Sequence, residues 1–237
     1  MPEDGLAPVK RPLRRSNVDR SAATRRLILE ATVRALDEFG YGAVTNHLVA
    51  ELAGVSRGAM MHHFPTRQDL LAAVTEHAYA KMTEYRILEL EKLQPGLPRF
   101  RGIINLAFET GGSPEGLAIN EIRMGSRSDP DIAEAVTPMM GRIADDYGRF
   151  IGRHVRAAGL VPNKEMQGLS AAAAMTAQTL AINRATNPSP QMVETVLLML
   201  KSAREHIIAR QLGPEIALSL EQLEREPLPR MRRMRKG

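Results

Sequence analysis

The 237-residue chain has no cysteine and no tryptophan, and only 4% of it is aromatic. Without cysteine there can be no disulfide framework, thiolate zinc site, iron–sulfur cluster or thiol nucleophile. The same absence fits a reducing compartment, and a cytoplasmic protein is expected. No run of 18 apolar residues occurs, so no membrane-spanning helix is expected. The N-terminus lacks the apolar stretch of a secretory signal. Several catalytic spellings are also missing: G-x-S-x-G, H-E-x-x-H, G-x-x-x-x-G-K-[ST], and G-x-G-x-x-G after a strand. The expectation is a protein that is not an enzyme and holds no cofactor and no metal. His62 and His63 are adjacent, and neighbours on a helix diverge by roughly 100°, so the pair is poorly placed to share a metal ion. The Asp145 and Asp146 pair reads as a solvated face for the same reason.

What is present is a globular composition, 43% hydrophobic and 25% charged, enough to bury a sizeable core. The net charge of +5 is unevenly spread. Residues 1–70 carry +2, residues 71–224 carry −2, and residues 225–237 carry +5. Basic ends around a near-neutral middle suggest contact with a polyanion, although a basic tail also serves solubility. Segments 1–20 and 225–237 are rich in Arg and Pro without apolar periodicity, and read as a disordered arm and tail.

Between them the chain reads as helix throughout, with no strand-like alternation. A first helix spans about 21–39, through Leu27, Ile28, Ala31, Ala35, Leu36 and Phe39, and stops at Gly40 in the left-handed role. Thr45 caps a short helix that ends before Gly54, and Ser56 caps another that ends at Phe64 and Pro65. Thr66 and Asp69 spell a capping box that opens a long helix to about residue 93. Helical pieces follow at about 99–110 and 115–127. Asp129 and Pro130 start a long helix to about residue 158. Asn163 caps a small-residue helix, and the stretch from Asn187 to Pro190 opens another that carries Val193, Val196, Leu197, Leu200, Ala203 and Ile207. A weaker helix runs to about residue 224.

The two short helices that meet at Ala53, Gly54, Val55 and Ser56 form a helix-turn-helix. Val49 and Ala50 supply an inner apolar face, Gly54 permits the reversal, Val55 fills the gap, and Ser56 caps the second helix. Gly58 and Ala59 keep its leading face small, so that the backbone can approach a DNA groove closely.

The stretch TNHLVAELAGVSRGAMMHHFPTRQDLL, residues 45–71, resembles the TetR family of one-component bacterial regulators. The resemblance is close over about residues 21–82; beyond that only size and helical layout agree. It implies an all-α fold: a three-helix DNA-binding head over 21–82, joined to a larger helical-bundle domain over 83–224 that binds an effector and dimerises. It also implies that Ser56 to His63 forms the helix in the major groove. Thr45 would donate to a phosphate, with Asn46 beside it and His47 standing where some members read a base or phosphate. Arg57, Gly58 and Ala59 would face base pairs, His62 and His63 would lie near the backbone, and Arg67 would replace a phosphate-contacting Lys. Met61 departs from the family's usual Tyr and loses that phosphate contact. Met60 and Met61 would instead meet thymine methyls.

The function expected is a ligand-responsive DNA-binding regulator, a homodimeric repressor released from a palindromic operator by a small, largely apolar effector. The alternatives are an all-helical enzyme and an effector-independent architectural DNA-binding protein. The 71–224 body is more chain than a DNA head needs, which favours the first reading. Its many Met residues suit an adaptable pocket, although ordinary core is the commoner use of Met. The candidate lining is Phe100, Ile104, Phe108, Met124, Met139, Ile143, Tyr147, Met175, Gln178 and Thr179. Asn105 and Asn183 are further polar candidates.

Overall fold

The computed structural model describes residues 17–183 and 189–230. The described residues are helical with no strand. The basic cluster Lys10, Arg11, Arg14 and Arg15, like residues 231–237, lies outside them.

Three helices make the head: α1 (Asn17–Phe39), α2 (Asn46–Ala53) and α3 (Arg57–His63). A 3-10 turn, Tyr41–Ala43, joins the first two. The helix α1 begins at Asn17 rather than at 21, because the segment NVDR continues the helix and Asp19 favours its positive end. Gly40 does take positive φ (74°), but its ψ of 173° is extended, so it leads out of the helix rather than closing it as a left-handed cap.

The body contains α4 (Arg67–Glu91), α5 (Leu97–Gly111), α6 (Pro114–Ser126), α7 (Pro130–Ala157), α8 (Lys164–Asn183), α9 (Pro190–Leu212) and α10 (Leu220–Glu224). Most begin where a side chain satisfies the first free amides. Thr66 and Asp69 form the capping box of α4, Ser113 caps α6, Asp129 caps α7, Asn163 accepts from the Met166 amide at 2.9 Å, and Ser189 caps α9. The helix α7 continues through Pro138, at the loss of one ladder bond.

Head and body share one apolar core. Ile28, Leu36, Val49, Met60, Leu70 and Val74 form a continuous cluster with Ala118, Ile119 and Ile122 of α6 and Ile132 and Val136 of α7. A second cluster joins Leu90, Phe100, Phe150, Val155 and Ile208. A third joins Ile104 and Phe108 to Ala173, Ala177, Leu180 and Leu197. The apolar row of α9 is spent inward: Leu197 and Ile207 are buried, and Val193, Val196 and Leu200 pack on the third cluster.

The tail expected to be disordered from 225 is ordered as far as Arg230. Its backbone docks on α5, where Asn105 Nδ2 donates to the Pro227 carbonyl at 3.1 Å and the Arg230 amide donates to Glu109 Oε1 at 2.8 Å. Beneath it lies a buried ionic network. Arg204, 1% exposed, donates to Glu205 at 2.7 Å and to Glu226 at 3.2 Å, and Lys201 pairs with Glu226 at 3.0 Å. Arg101 grips Glu205 with two bonds of 3.1 and 2.8 Å. Burial alone would raise the Glu205 carboxyl pKa. The bonds from Arg101 and the Leu218 amide, with the Arg204 charge, outweigh it and hold the group below the usual carboxylate value.

Removal of Glu205 takes the one carboxylate partner of Arg101 among the described residues and one of the two that Arg204 has, so Glu205→Ala should lower stability by about 3–5 kcal/mol in urea unfolding. A carboxylate depressed on folding contributes in full above its unfolded pKa and loses that contribution as pH falls through the folded one. The wild type should therefore lose stability on acidification more steeply than the variant; parallel acid profiles would contradict this role.

Candidate nucleic-acid interface and cavity

The turn between α2 and α3 is built from the backbone outward. Gly54 adopts φ 65°, ψ 33°, the left-handed conformation that disfavours a Cβ. Its amide bonds the Glu51 carbonyl at 3.1 Å, and the Val55 amide bonds that of Ala50 at 3.0 Å, which closes α2 as a Schellman motif. From α1, Arg34 Nη2 donates to the Leu52 carbonyl at 2.8 Å. The hydroxyls of Thr45 and Ser56 accept from the amides of Leu48 and Ala59 at 3.2 and 3.1 Å. Each keeps its own proton free to donate outward.

Helical spacing then sorts the side chains of α3. Met60 is fully buried and Phe64 is 2% exposed, so both belong to the core. This corrects the expectation for Met60, which cannot reach thymine methyls. The outer edge carries Arg57, Gly58, Met61 and His62, all exposed, with Ala59 and His63 half-buried beside them. From α2, Thr45 and His47 are exposed and Asn46 is half-buried. Asn46 Nδ2 donates to the Met61 sulfur at 3.3 Å, so Met61 fixes a neighbouring amide. Burial, then the His62 and Arg25 charges, lower the His63 pKa. A Cβ at Gly58 would meet only Ser56 Oγ, at 3.9 Å; nothing inside the chain requires a glycine there.

Arg67 also makes contacts within the chain. Its Nη2 donates to the Tyr41 carbonyl at 3.0 Å and its guanidinium lies 4.3 Å from the Tyr41 ring centroid. Tyr41 is in turn bound to the body. Its amide donates to Glu121 Oε2 at 2.7 Å and its hydroxyl to Asp129 Oδ2 at 3.1 Å. Its ring lies flush against Gly125, where an added Cβ would stand 2.4–2.5 Å from three ring atoms. Burial is the main cause that raises the Tyr41 pKa, with Arg67 opposing it and Asp129 adding to it.

The body encloses a cavity of about 450 Å³ between α4, α5, α6, α7 and α8. Its apolar walls come from Met82, Ala107, Ile119, Ile143, Ile151 and Met166, with Tyr79 and Tyr147. Exposed Ala144 and Gly148 on α7 and Gln167, Ala171 and Met175 on α8 mark where it opens. Of the sequence candidates, Ile143, Tyr147, Met175 and Gln178 line it. Phe100, Ile104 and Phe108 do not, because their faces are consumed by the second and third cores. Met124 is 52% exposed on the surface. Met139 borders a separate groove with Ile87 and Leu88, while Met140, one residue and about 100° further on, lines the cavity. Thr179 is exposed, its hydroxyl spent on the Met175 carbonyl at 3.0 Å. Asn105 holds the tail, and the Asn183 side chain lies outside the described residues. The sequence reading missed Arg86 and Arg123, which also line the cavity. A signal existed: Arg86 sits four residues after Met82 and four before Leu90, both on the apolar row of α4, and Arg123 follows Ile119 by four.

The described chain is thus a helix-turn-helix head on a helical body with an open apolar cavity. Residues 28–74 match the family described as bacterial regulatory proteins, tetR family. The chain is 40% identical over 84 residues to the transcriptional regulator CymR of Pseudomonas putida, a match that covers 35% of this chain and 41% of CymR. It is 24% identical over 189 residues to an HTH-type transcriptional regulator of Mycobacterium tuberculosis, covering 78% of this chain and 95% of that one. In fold it is similar to a transcriptional regulator from Saccharomonospora viridis in complex with choline, with a TM-score of 0.60 at 21% identity, over 78% of this chain and 97% of that one. FadR of Bacillus subtilis in complex with stearoyl-CoA gives 0.54 at 13% identity, over 79% and 98%. The chain thus spans about two-fifths of CymR and nearly all of the mycobacterial relative.

The Tyr41–Gly125 contact is testable without DNA. Gly125→Ala should cost about 1–3 kcal/mol of stability by overpacking. In a Tyr41→Ala background the same change should cost almost nothing, and a double-mutant cycle in urea measures the coupling.

Proposed function

We propose that this chain is a ligand-responsive transcriptional regulator that binds a palindromic operator as a homodimer. It would be released, as a repressor, when an effector occupies the cavity. The observation that carries the reading is the sorting of α3. Met60 and Phe64 anchor it, while Arg57 and Gly58 stand outside with nothing among the described residues to explain them, and Met61 stands beside them with its sulfur on Asn46. Arg57 engages no ion pair among the described residues, and Arg is suited to bidentate contact with guanine. Thr45, Ser56, His47, His62 and His63 border the same edge and would contact the phosphate backbone. Arg67 would act chiefly by holding Tyr41, and only secondarily through its own charge.

Dimerisation is supported by exposed apolar side chains on two adjacent helices. Ile182 of α8 and Met192 and Met199 of α9 are 47–68% exposed, away from the residues that build the protomer core. Two such pairs would form a four-helix interface with two-fold symmetry. The row from Val193 to Ile207 packs in the protomer core and would stay outside that interface.

Coupling would run through α6. One side of it meets the cavity at Ile119 and Arg123, and the other holds the head through Ile122, Glu121 and Gly125. An effector that favours a head position misfitted to the operator must, by linkage, be bound less tightly when operator is present. The cytoplasm is the compartment this function needs; no described helix is long and apolar enough to cross a membrane.

Sedimentation at micromolar concentration should give about 52 kDa, twice the 26.1 kDa chain; a strict monomer would reject the dimer. In mobility-shift titrations, Arg57→Ala should weaken the cognate operator by about 1–3 kcal/mol and relax one base position. Arg67→Ala should weaken all DNA sequences alike. Equal losses for both variants on every sequence would reject the assignment of base reading to Arg57.

A further inference from the structure

The charge inside the cavity is one-sided. Two guanidiniums, Arg86 and Arg123, line it, and no carboxylate does. Arg86 is 7% exposed; its Nε and Nη2 both bond Thr110 Oγ1, at 3.1 and 2.8 Å, and its guanidinium lies 5.1 Å from the Tyr147 ring. Those partners are neutral. Arg123 reaches Gln178 Oε1 at 2.7 Å and the Met140 sulfur at 3.9 Å, also neutral. Neither arginine has an ion pair among the described residues.

The nearby acids are committed elsewhere. Glu115 pairs with Lys81, Glu121 accepts from Tyr41, Glu109 accepts from Tyr85 and the Arg230 amide, and Asp146 pairs with Arg149. Desolvation lowers the pKa of both arginines, with no opposing carboxylate. Arg86 holds its charge in low-dielectric surroundings without a counter-charge, which is costly, while Arg123 is exposed at the cavity's edge, where its guanidinium can reach an entering ligand; an incoming anion would relieve the first charge and pair with the second.

We propose that the effector is an amphipathic carboxylate, its carboxyl group held by Arg123 in the field of Arg86 and its aryl or alkyl body seated among Ile119, Ile143 and Met166. The guanidinium fork matches two carboxylate oxygens. About 450 Å³ suits a body of roughly drug-like size or smaller. The remaining polar lining, Gln167, Gln178, Ser170 and Asn163, is uncharged, which favours a monoanion over a phosphate dianion. A quaternary ammonium compound would bring a third cation beside two others and is excluded by the same field. This inference rests on the reading of the cavity as the effector site.

The test is equilibrium dialysis of the full-length protein against 1-naphthoate, 1-naphthamide, 1-naphthyl phosphate and trimethyl(1-naphthyl)ammonium, with decanoate as an alkyl counterpart. The naphthoate or decanoate should bind at least about tenfold more tightly than the amide, and the ammonium not measurably. Arg123→Gln should remove at least about tenfold of naphthoate affinity and leave the amide unchanged, while Arg123→Lys retains part of it. Thermal unfolding checks that the variants fold, and the ligand series on wild type needs no variant. Absence of carboxylate binding, tighter binding of the amide, phosphate or ammonium, or an Arg123→Gln affinity equal to wild type would each overturn the proposal. Mobility shift on the same samples separates the two readings. Operator binding without carboxylate preference would sink this inference alone. Carboxylate preference without any operator binding would uphold it and sink the regulator reading.

Discussion

Tyr41 has every polar group engaged at the junction of head and body. Its amide goes to Glu121, its hydroxyl to Asp129, and its carbonyl receives Arg67, while its ring fills the space left by Gly125. Asp129 serves twice, since its other oxygen accepts the Ile132 amide at 3.2 Å and so starts α7. A side chain two residues past the end of α1 thereby fixes where α3 stands relative to the cavity. Because these contacts are part-buried and directional, a shift of α6 cannot leave Tyr41 in place without loss of the Glu121 bond and of the ring's seat on Gly125.

The helix α6 is the physical link between sites that do not touch. Ile119 belongs both to the core that the head shares and to the cavity wall. Glu121 and Gly125, on other sides of the helix, hold the turn before α2. A packed helix with two occupied faces moves as a unit more readily than it deforms, which is the physical basis of the coupling proposed above. The same sharing means that the boundary expected near residue 82 is covalent rather than energetic: Ile122, Ile132 and Val136 contribute to the head's core.

Most of the secondary structure was legible because it is written in local chemistry. Thr45, Ser56, Thr66, Asp129 and Asn163 accept amides three residues on, and Gly54 occupies the conformation its type favours, so caps and the tight turn follow from adjacent residues. The exposed edge of α3 was legible for the same reason, except Met60, whose depth depends on how α3 is rotated against α1 and α2. The cavity was less so. Periodicity shows which face is apolar but not what that face meets, so Phe100, Ile104 and Phe108 were assigned to a wall when they fill cores. Space persists where side chains are small, and Ala107, Gly111, Gly116 and Gly148 line the cavity while carrying no visible signal of it. Arg86 and Arg123 were hidden by the habit of charged residues to face water; only their registry with apolar rows set them apart.

The segment after α10 has a consequence for how the molecule ends. Lys201 is 2% exposed and Glu226 is its ion-pair partner among the described residues. A protein shortened before Glu226, by a protease or by design, would keep all of its helices and yet leave an ammonium in a place water barely reaches. The stretch from Glu226 to Arg230 therefore acts as a plug over α5 and α9, and intactness of the C-terminal end becomes a condition for the body's charge balance rather than an ornament of the surface.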